Sequence, residues 1–386
     1  MTISGKKNPE KRYRRRNIIP SRHRRSQRQR EIPYAREDPG PIAEEFTRQQ
    51  LQLAQEQVEV AREQIRVTQS SAIRAAVIGA FGLAIPIIVV ILSFNYQVNL
   101  ERQQAELERE LVATNTAFDR ELALDGVLQA YIDRMSQLLL EENLSTSKPD
   151  SDVRTIARAR TLTTLRELDK TRKGALVRFI YEAELITKPE QPASSSIVNL
   201  FEADLTEADL NGVDLIGADF WRVNLSNAGL TEAKLAHAYM SGANLTEANL
   251  RDALLSYTDL SFAGLGRADL RGATLFGTKL ERANLSEANM IKAILFQADL
   301  SAATMFDTNL SEAALNEANL YGAGLRGANL SAADLTDAWL TEADLRGANL
   351  HEANLTGTDL TGAVYDEETT WPKGFNPEVA GAIKEN

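Results

Sequence analysis

From Leu200 to Leu360 every fifth residue is Leu, apart from Phe220, Met240, Met290 and Met305. Two residues before each of these stands a small group. It is Ala in most repeats, Val at 198, 213 and 223, and Thr at 258, 278, 308 and 358. Thirty-three consecutive hits without insertion or deletion are not an accident of composition. A period of five fits neither the 3.6 of a helix nor the two of a strand. Residues 197–363 are therefore a repeat architecture, in which each unit buries its apolar groups only by stacking on its neighbours.

Runs such as ADLTEADLNGVDLIGADF and ANLSAADLTDAWLTEADLRGANLHEANL carry the motif A-(D/N)-L-x-x. On these residues the region resembles the pentapeptide-repeat family. The resemblance implies a mainly β fold, a right-handed quadrilateral β-helix with four pentapeptides in each square coil of twenty residues. The central Leu and the preceding Ala would point inward, and the other three positions would face solvent. Coils stacked at about 4.8 Å would give about eight coils and a rod about 40 Å long. Positions twenty apart would then share a face, with Thr258 beside Thr278 and Phe220 beside Met240. After Ala363 the motif stops. The tail 364–386 is similar to the ending of many cyanobacterial relatives and reads as a cap over the open end, with Trp371 and Phe375 as an apolar lid and Pro372 and Pro377 as rigid turns.

Charge divides the rest of the chain. The total is −11, but residues 1–30 hold twelve Lys or Arg against the single acid Glu10, while residues 197–363 hold ten basic groups against twenty-three acids. Arg-rich, poor in apolar groups and broken by prolines, the arm 1–42 is expected to be disordered. Lipid headgroups or nucleic acid phosphates would suit it, or it serves only as a topology signal. Residues 75–94, AAVIGAFGLAIPIIVVILSF, contain no charge. Twenty helical residues span about 30 Å, so a single transmembrane helix is expected over 75–95. Arg62, Arg66, Arg74 and the arm precede it, and only Arg102 and Arg109 closely follow. The positive-inside rule places the amino terminus in the cytoplasm and the repeats across the membrane, in a periplasm or thylakoid lumen.

Helices are expected on both sides. Residues 43–74 form a polar helix in which Leu51, Val58 and Ile65 recur at seven, a thin coiled-coil seam or a solvated stalk. Leu107, Leu111, Phe118 and Leu122 continue a helical pattern through a stalk at 96–121. Three amphipathic segments then make a small bundle over 122–186, marked by Tyr131, Met135 and Leu138, by Ile156, Leu162 and Leu165, and by Val177, Ile180 and Leu185. A linker, 187–196, joins it to the repeats. This helical block also looks like segments attached to cyanobacterial membrane-anchored members of the family.

No catalytic constellation is present, so an enzyme is not expected. The chain has no cysteine and only three histidines, 23, 237 and 351, far apart in sequence. That excludes disulfides, thiolate zinc sites, iron–sulfur clusters and cysteine nucleophiles, and no cofactor or metal is expected. One outward region departs from the acidic exterior. Ile216, Leu254, Phe276, Ile294 and Phe296 fall on one side of the twenty-residue coil as an apolar strip, read either as a docking site for a protein partner or a second copy, or as stacking between coils. Two functions follow. One is a membrane-anchored scaffold that mediates protein–protein interaction. The other is an acidic mimic of duplex DNA, which the resemblance suggests because some family members bind topoisomerases. Membrane lipid and a protein are the expected partners, with homo-oligomers from the seams, and nucleic acid is not expected.

Overall fold

A computed structural model describes residues 56–57, 59–60, 62–64, 66–67, 84–187 and 196–385. The expected basic arm 1–42 lies outside the described residues, as do much of the polar helix at 43–74 and residues 188–195 of the linker. Among the described residues no helix is long and apolar enough to cross a membrane. The expected span falls partly outside them, at 75–83, and its remainder begins helix α1 (Ala84–Leu140). The chain divides at Leu107 into two units, each described by itself.

In the second unit α1 is followed by a 3-10 turn at Leu144–Thr146, then α2 (Asp152–Glu167) and α3 (Lys170–Glu182). The expected stalk and the first bundle helix are thus one continuous helix. Nothing interrupts them but the exposed Gly126, whose cost of about 1 kcal/mol a long helix absorbs. Asp169 caps α3, its Oδ1 accepting the Arg172 N–H at 2.9 Å. The Arg172 guanidinium in turn donates to Glu121 and Asp125 of α1, both at 2.7 Å, and to Asp169. Inside the bundle the Tyr131 hydroxyl meets Thr161 Oγ1 at 2.8 Å, so the buried phenol is satisfied. Burial holds the Tyr131 hydroxyl far above its ordinary pKa.

The bundle is not a separate body with its own core. Tyr131, Met135, Leu165, Leu176 and Ile180 belong to the same buried apolar cluster as Val198, Leu200, Leu205 and the rest of the repeat interior. Contact is made through the first coil's strand edge, which would otherwise leave backbone groups unpaired. Arg158 donates to the carbonyls of Asn199 and Phe201 at 3.1 and 3.0 Å. The buried Lys173 donates to Thr206 O at 3.1 Å, and Tyr181 Oη to Ile216 O at 3.0 Å. In the other direction Asp209 N–H donates to Lys170 O at 2.9 Å and Asp219 N–H to Ile186 O at 2.7 Å. Thr187, the first residue assigned to the linker, already bridges Ala218 in antiparallel pairing.

From Asp204 to Asp344 each residue before the inward Leu bridges its equivalent twenty residues later, in parallel, as in Asp204↔Asn224↔Asn244↔Gly264. Leu205 N–H donates to Asn224 O at 2.8 Å, and Asn224 N–H returns to Ala203 O at 3.0 Å. The structure is a β-helix of twenty-residue coils, and its Leu and Ala columns are almost wholly buried. Thr258 and Thr278 stack inside it as expected. Their hydroxyls donate to Leu235 O and Leu255 O at 2.7 and 2.6 Å, which removes the cost of burying them. At the far end the regular ladder outlasts the motif. Val364 pairs with Asp344 and Thr370 with Asn349, and β1 (Val364–Tyr365) pairs with β2 (Ile383–Lys384) in parallel.

Candidate interaction face

Each repeat turns a corner at the two residues that follow Leu. The carbonyl of Leu205 accepts the N–H of Ala208 at 3.0 Å, and Glu207, the second corner residue, has φ +60. The residue before Leu explains the motif's preference for Asp or Asn. Its Oδ1 accepts the N–H of the first corner residue, as at Asp204, Asn244 and Asn309, at 3.0 to 3.1 Å. Asn side chains also bond from coil to coil, with Asn329 Nδ2 to Asn309 Oδ1 at 3.3 Å and Asn349 Nδ2 to Asn329 Oδ1 at 3.1 Å. Most outward groups therefore serve the coil itself.

The apolar side differs. Leu254 and Ile294 lie in one bridge column, separated by Thr274, and both are exposed. Phe276 and Phe296 are corner residues on the same side. Their rings stack with centroids 5.5 Å apart and planes 11° apart. Ile216 does not join them. Lys234 stands between, bridged to Asp214 at 3.4 Å, and the backbone of Ile216 is engaged by Tyr181.

Two residues belong to this side that the strip Ile216–Phe296 omits. His237 stacks on Tyr257 at 5.1 Å, and Tyr257 meets Phe276 edge-on at 4.9 Å. The result is a ladder of four rings, His237, Tyr257, Phe276 and Phe296, up one corner of the rod. His237 and Tyr257 sit at the second corner position and the two Phe at the first. Their offset of nineteen residues from Tyr257 to Phe276 escapes a search for columns at twenty. Gly277 makes the crossing possible. It has φ +60, and a Cβ there would lie 2.9 Å from the Tyr257 ring. Between Lys234 and Glu317 no outward residue on this side carries a formal charge, in a rod whose net charge is −13.

At the other end Trp371 and Phe375 stack at 5.4 Å, Tyr365 meets Trp371 edge-on at 5.5 Å, and both expected lid residues pack against the core. Pro372 and Phe375 close a turn, with Phe375 N–H donating to Pro372 O at 3.0 Å. Trp371 Nε1 is buried without a hydrogen-bond partner. Among the described residues no group of three or more His, Cys, Asp or Glu could hold a metal ion.

With the coil, its corners and its inward ladder in place, the sequence family described as Pentapeptide repeats matches in eight copies, over residues 198–231, 233–272, 268–305, 293–331 and 328–364. HetL, a pentapeptide repeat protein involved in heterocyst differentiation regulation from the cyanobacterium Nostoc sp. strain PCC 7120, is 33% identical over 50% of this chain and 96% of its own, with a TM-score of 0.27. This chain is a pentapeptide-repeat protein. A second Nostoc PCC 7120 pentapeptide-repeat protein, alr5209, is 31% identical over 38% of this chain and 84% of its own, with a TM-score of 0.15. QnrB1, a plasmid-mediated fluoroquinolone resistance protein, is 20% identical over 47% of this chain and 88% of its own, with a TM-score of 0.36. No curated protein matches the chain. Family membership accounts for residues 198–364. The helices that close the first coil lie outside the matched residues of this pentapeptide-repeat protein.

Proposed function

We propose that this chain is a membrane-anchored, non-enzymatic scaffold that docks a protein partner on the aromatic side of its rod. The single observation that carries the reading is the charge-free side between Lys234 and Glu317, where Leu254, Tyr257 and Ile294 are exposed on an otherwise acidic surface. Large side chains exposed together favour a partner more than scattered ones do. Residues 75–94 supply the anchor. Their twenty uncharged residues match the thickness of a bilayer, and the basic excess before them puts the amino terminus in the cytoplasm. The rod then stands on the far side, in a periplasm or thylakoid lumen.

Purification of the tagged chain from detergent-solubilised membranes tests the docking. A protein recovered stoichiometrically with the native chain is expected to be lost with the double substitution Phe276→Ser and Phe296→Ser. Unchanged recovery sinks the docking side. The net charge of −13 on the rod favours a second reading, mimicry of duplex DNA toward a DNA-binding protein. Protease added to sealed vesicles separates the two. A rod protected from the cytoplasmic side supports the anchored scaffold, and a rod cut from that side supports the mimic.

A further inference from the structure

The first coil contains the single Asn–Gly pair of the chain, Asn211–Gly212. Two demands of the fold put it there. Gly212 is a second corner residue with φ +63, a conformation that glycine adopts without steric cost. Asn211, the first corner residue, fills a gap in the next coil. Gly229, the residue before the inward Leu230, has no side chain, so it cannot accept the N–H of Thr231 as Asp and Asn do at other corners. Asn211 Oδ1 reaches across the coils and accepts that N–H at 2.8 Å. Its Nδ2 donates to Asp209 Oδ1 at 2.7 Å. Gly229 leaves the room for this, since a Cβ there would lie 2.7 Å from Asn211 Nδ2.

An Asn followed by Gly is chemically labile, because no side chain shields the Gly nitrogen. That nitrogen forms a bond to the Asn Cγ, the Cγ–Nδ2 bond breaks, and ammonia leaves with the proton of the Gly N–H. Water then opens the cyclic imide at either carbonyl, giving aspartate or an isoaspartate whose main chain is one carbon longer. In the closed coil every reacting group is held. Gly212 N–H donates to Thr231 O at 2.8 Å, so the nucleophile keeps its proton, and both polar atoms of the Asn211 amide are bonded.

We propose that Asn211–Gly212 is a self-modification site that the closed first coil protects, and that its conversion is a one-way switch that releases the helical cap. An end coil of a solenoid has a neighbour coil on one side only, and here α3 supplies the other. Asp209 N–H donates to Lys170 O at 2.9 Å, and Gly174 leaves the space that Asp209 O fills. The first coil therefore opens only when α3 lets go, and opening frees Asn211 to react. Neither product restores the closed state. Both set a second carboxylate beside Asp209 where a donor stood, and isoaspartate also lengthens a corner in a repeat that has no insertions.

The test follows the full chain in detergent at neutral pH and physiological temperature. Peptide mass mapping reads the change from amide to acid at residue 211, and isoaspartate-specific carboxyl methylation reads the longer product. The native chain is expected to convert at least about tenfold more slowly than the same chain in urea, a factor set by how rarely the first coil opens. Gly174→Ala, which pushes α3 away from Asp209, is expected to convert several-fold faster than the native chain. Arg158→Ala, which removes the bonds to Asn199 O and Phe201 O without a clash, should do the same and keeps the gate testable if Gly174→Ala fails to fold. Asn211→Asp is expected to lose the helical signal at a lower temperature than Asn211→Ser, which lacks the amide but adds no charge. Conversion as fast in the native chain as in urea overturns the protection. Native rates in both cap variants overturn the gate, and equal melting of the Asp and Ser variants overturns the switch.

Discussion

The second corner residue of every repeat, from Glu202 to Gly362, has a positive φ between 53 and 72. An L-residue adopts that conformation at a cost of about 1–2 kcal/mol, and a β-branched one at more. Across these positions the chain uses Glu, Gly, Asp, Arg and similar residues, and never Val, Ile, Thr or Pro. Glu287, at φ +60, tests the constraint. Relative to Glu287→Gly, the variant Glu287→Val is expected to lose about 1–2 kcal/mol in urea unfolding. Equal midpoints would mean the corner is softer than its geometry. The avoidance stands in the sequence, but the corner positions read simply as solvent-facing, because the dominant period of five draws attention to the inward Leu and Ala. For the same reason Leu254, Phe276, Ile294 and Phe296 are legible from the coil length, while His237 and Tyr257 are not. Their contact with the Phe pair crosses from one corner position to the next, and it depends on the space at Gly277.

At the scale of elements, the helices and the rod depend on one another. Helices α2 and α3 present Arg158, Lys173 and Tyr181 to first-coil carbonyls, and α3 approaches so closely that only glycine fits at one point. A Cβ on Gly174 would stand 1.9 Å from Asp209 O, a backbone atom that cannot move aside. Gly174→Ala is expected to destabilise the helical cap by about 1–3 kcal/mol, seen as earlier loss of the 222 nm signal on heating. Gly126→Ala provides the contrast. Nothing lies within 4 Å of its Cβ position in α1, so it should stabilise by up to about 1 kcal/mol. If the two variants melt alike, the close approach of α3 does not hold the cap. The helices themselves were legible from their apolar spacing. Their attachment was not, since a carbonyl acceptor is the same at every residue and leaves no trace in the sequence. The partners, such as Arg158 and Phe201, also lie forty-three residues apart.

For the molecule as a whole, the far end of the rod is closed by carboxylates as well as by Trp371 and Phe375. Asp344 accepts from Arg346 at 2.8 and 2.7 Å and from Arg326 at 2.8 Å, and Arg346 also reaches Glu385 in the tail at 2.7 Å. Asp366 accepts the N–H groups of Gly347, Glu368 and Thr369 at 2.9 to 3.1 Å, which joins the tail to the last regular coil. The Arg346 hydrogen bond holds the Asp344 carboxyl below its ordinary pKa, and the Gly347 N–H does the same for Asp366. Because both pKa values are lower folded than unfolded, the stabilisation is complete above the unfolded value of about 3.9 and disappears as pH falls through the folded one. The melting temperature is therefore expected to stay level from pH 7 to 5 and to drop below about pH 4. Asp366→Asn removes one of the groups that must be protonated, so its curve should lie lower at neutral pH and fall less in acid. A native melting temperature that already declines between pH 7 and 5 would show that groups other than these carboxylates hold the tail on the rod.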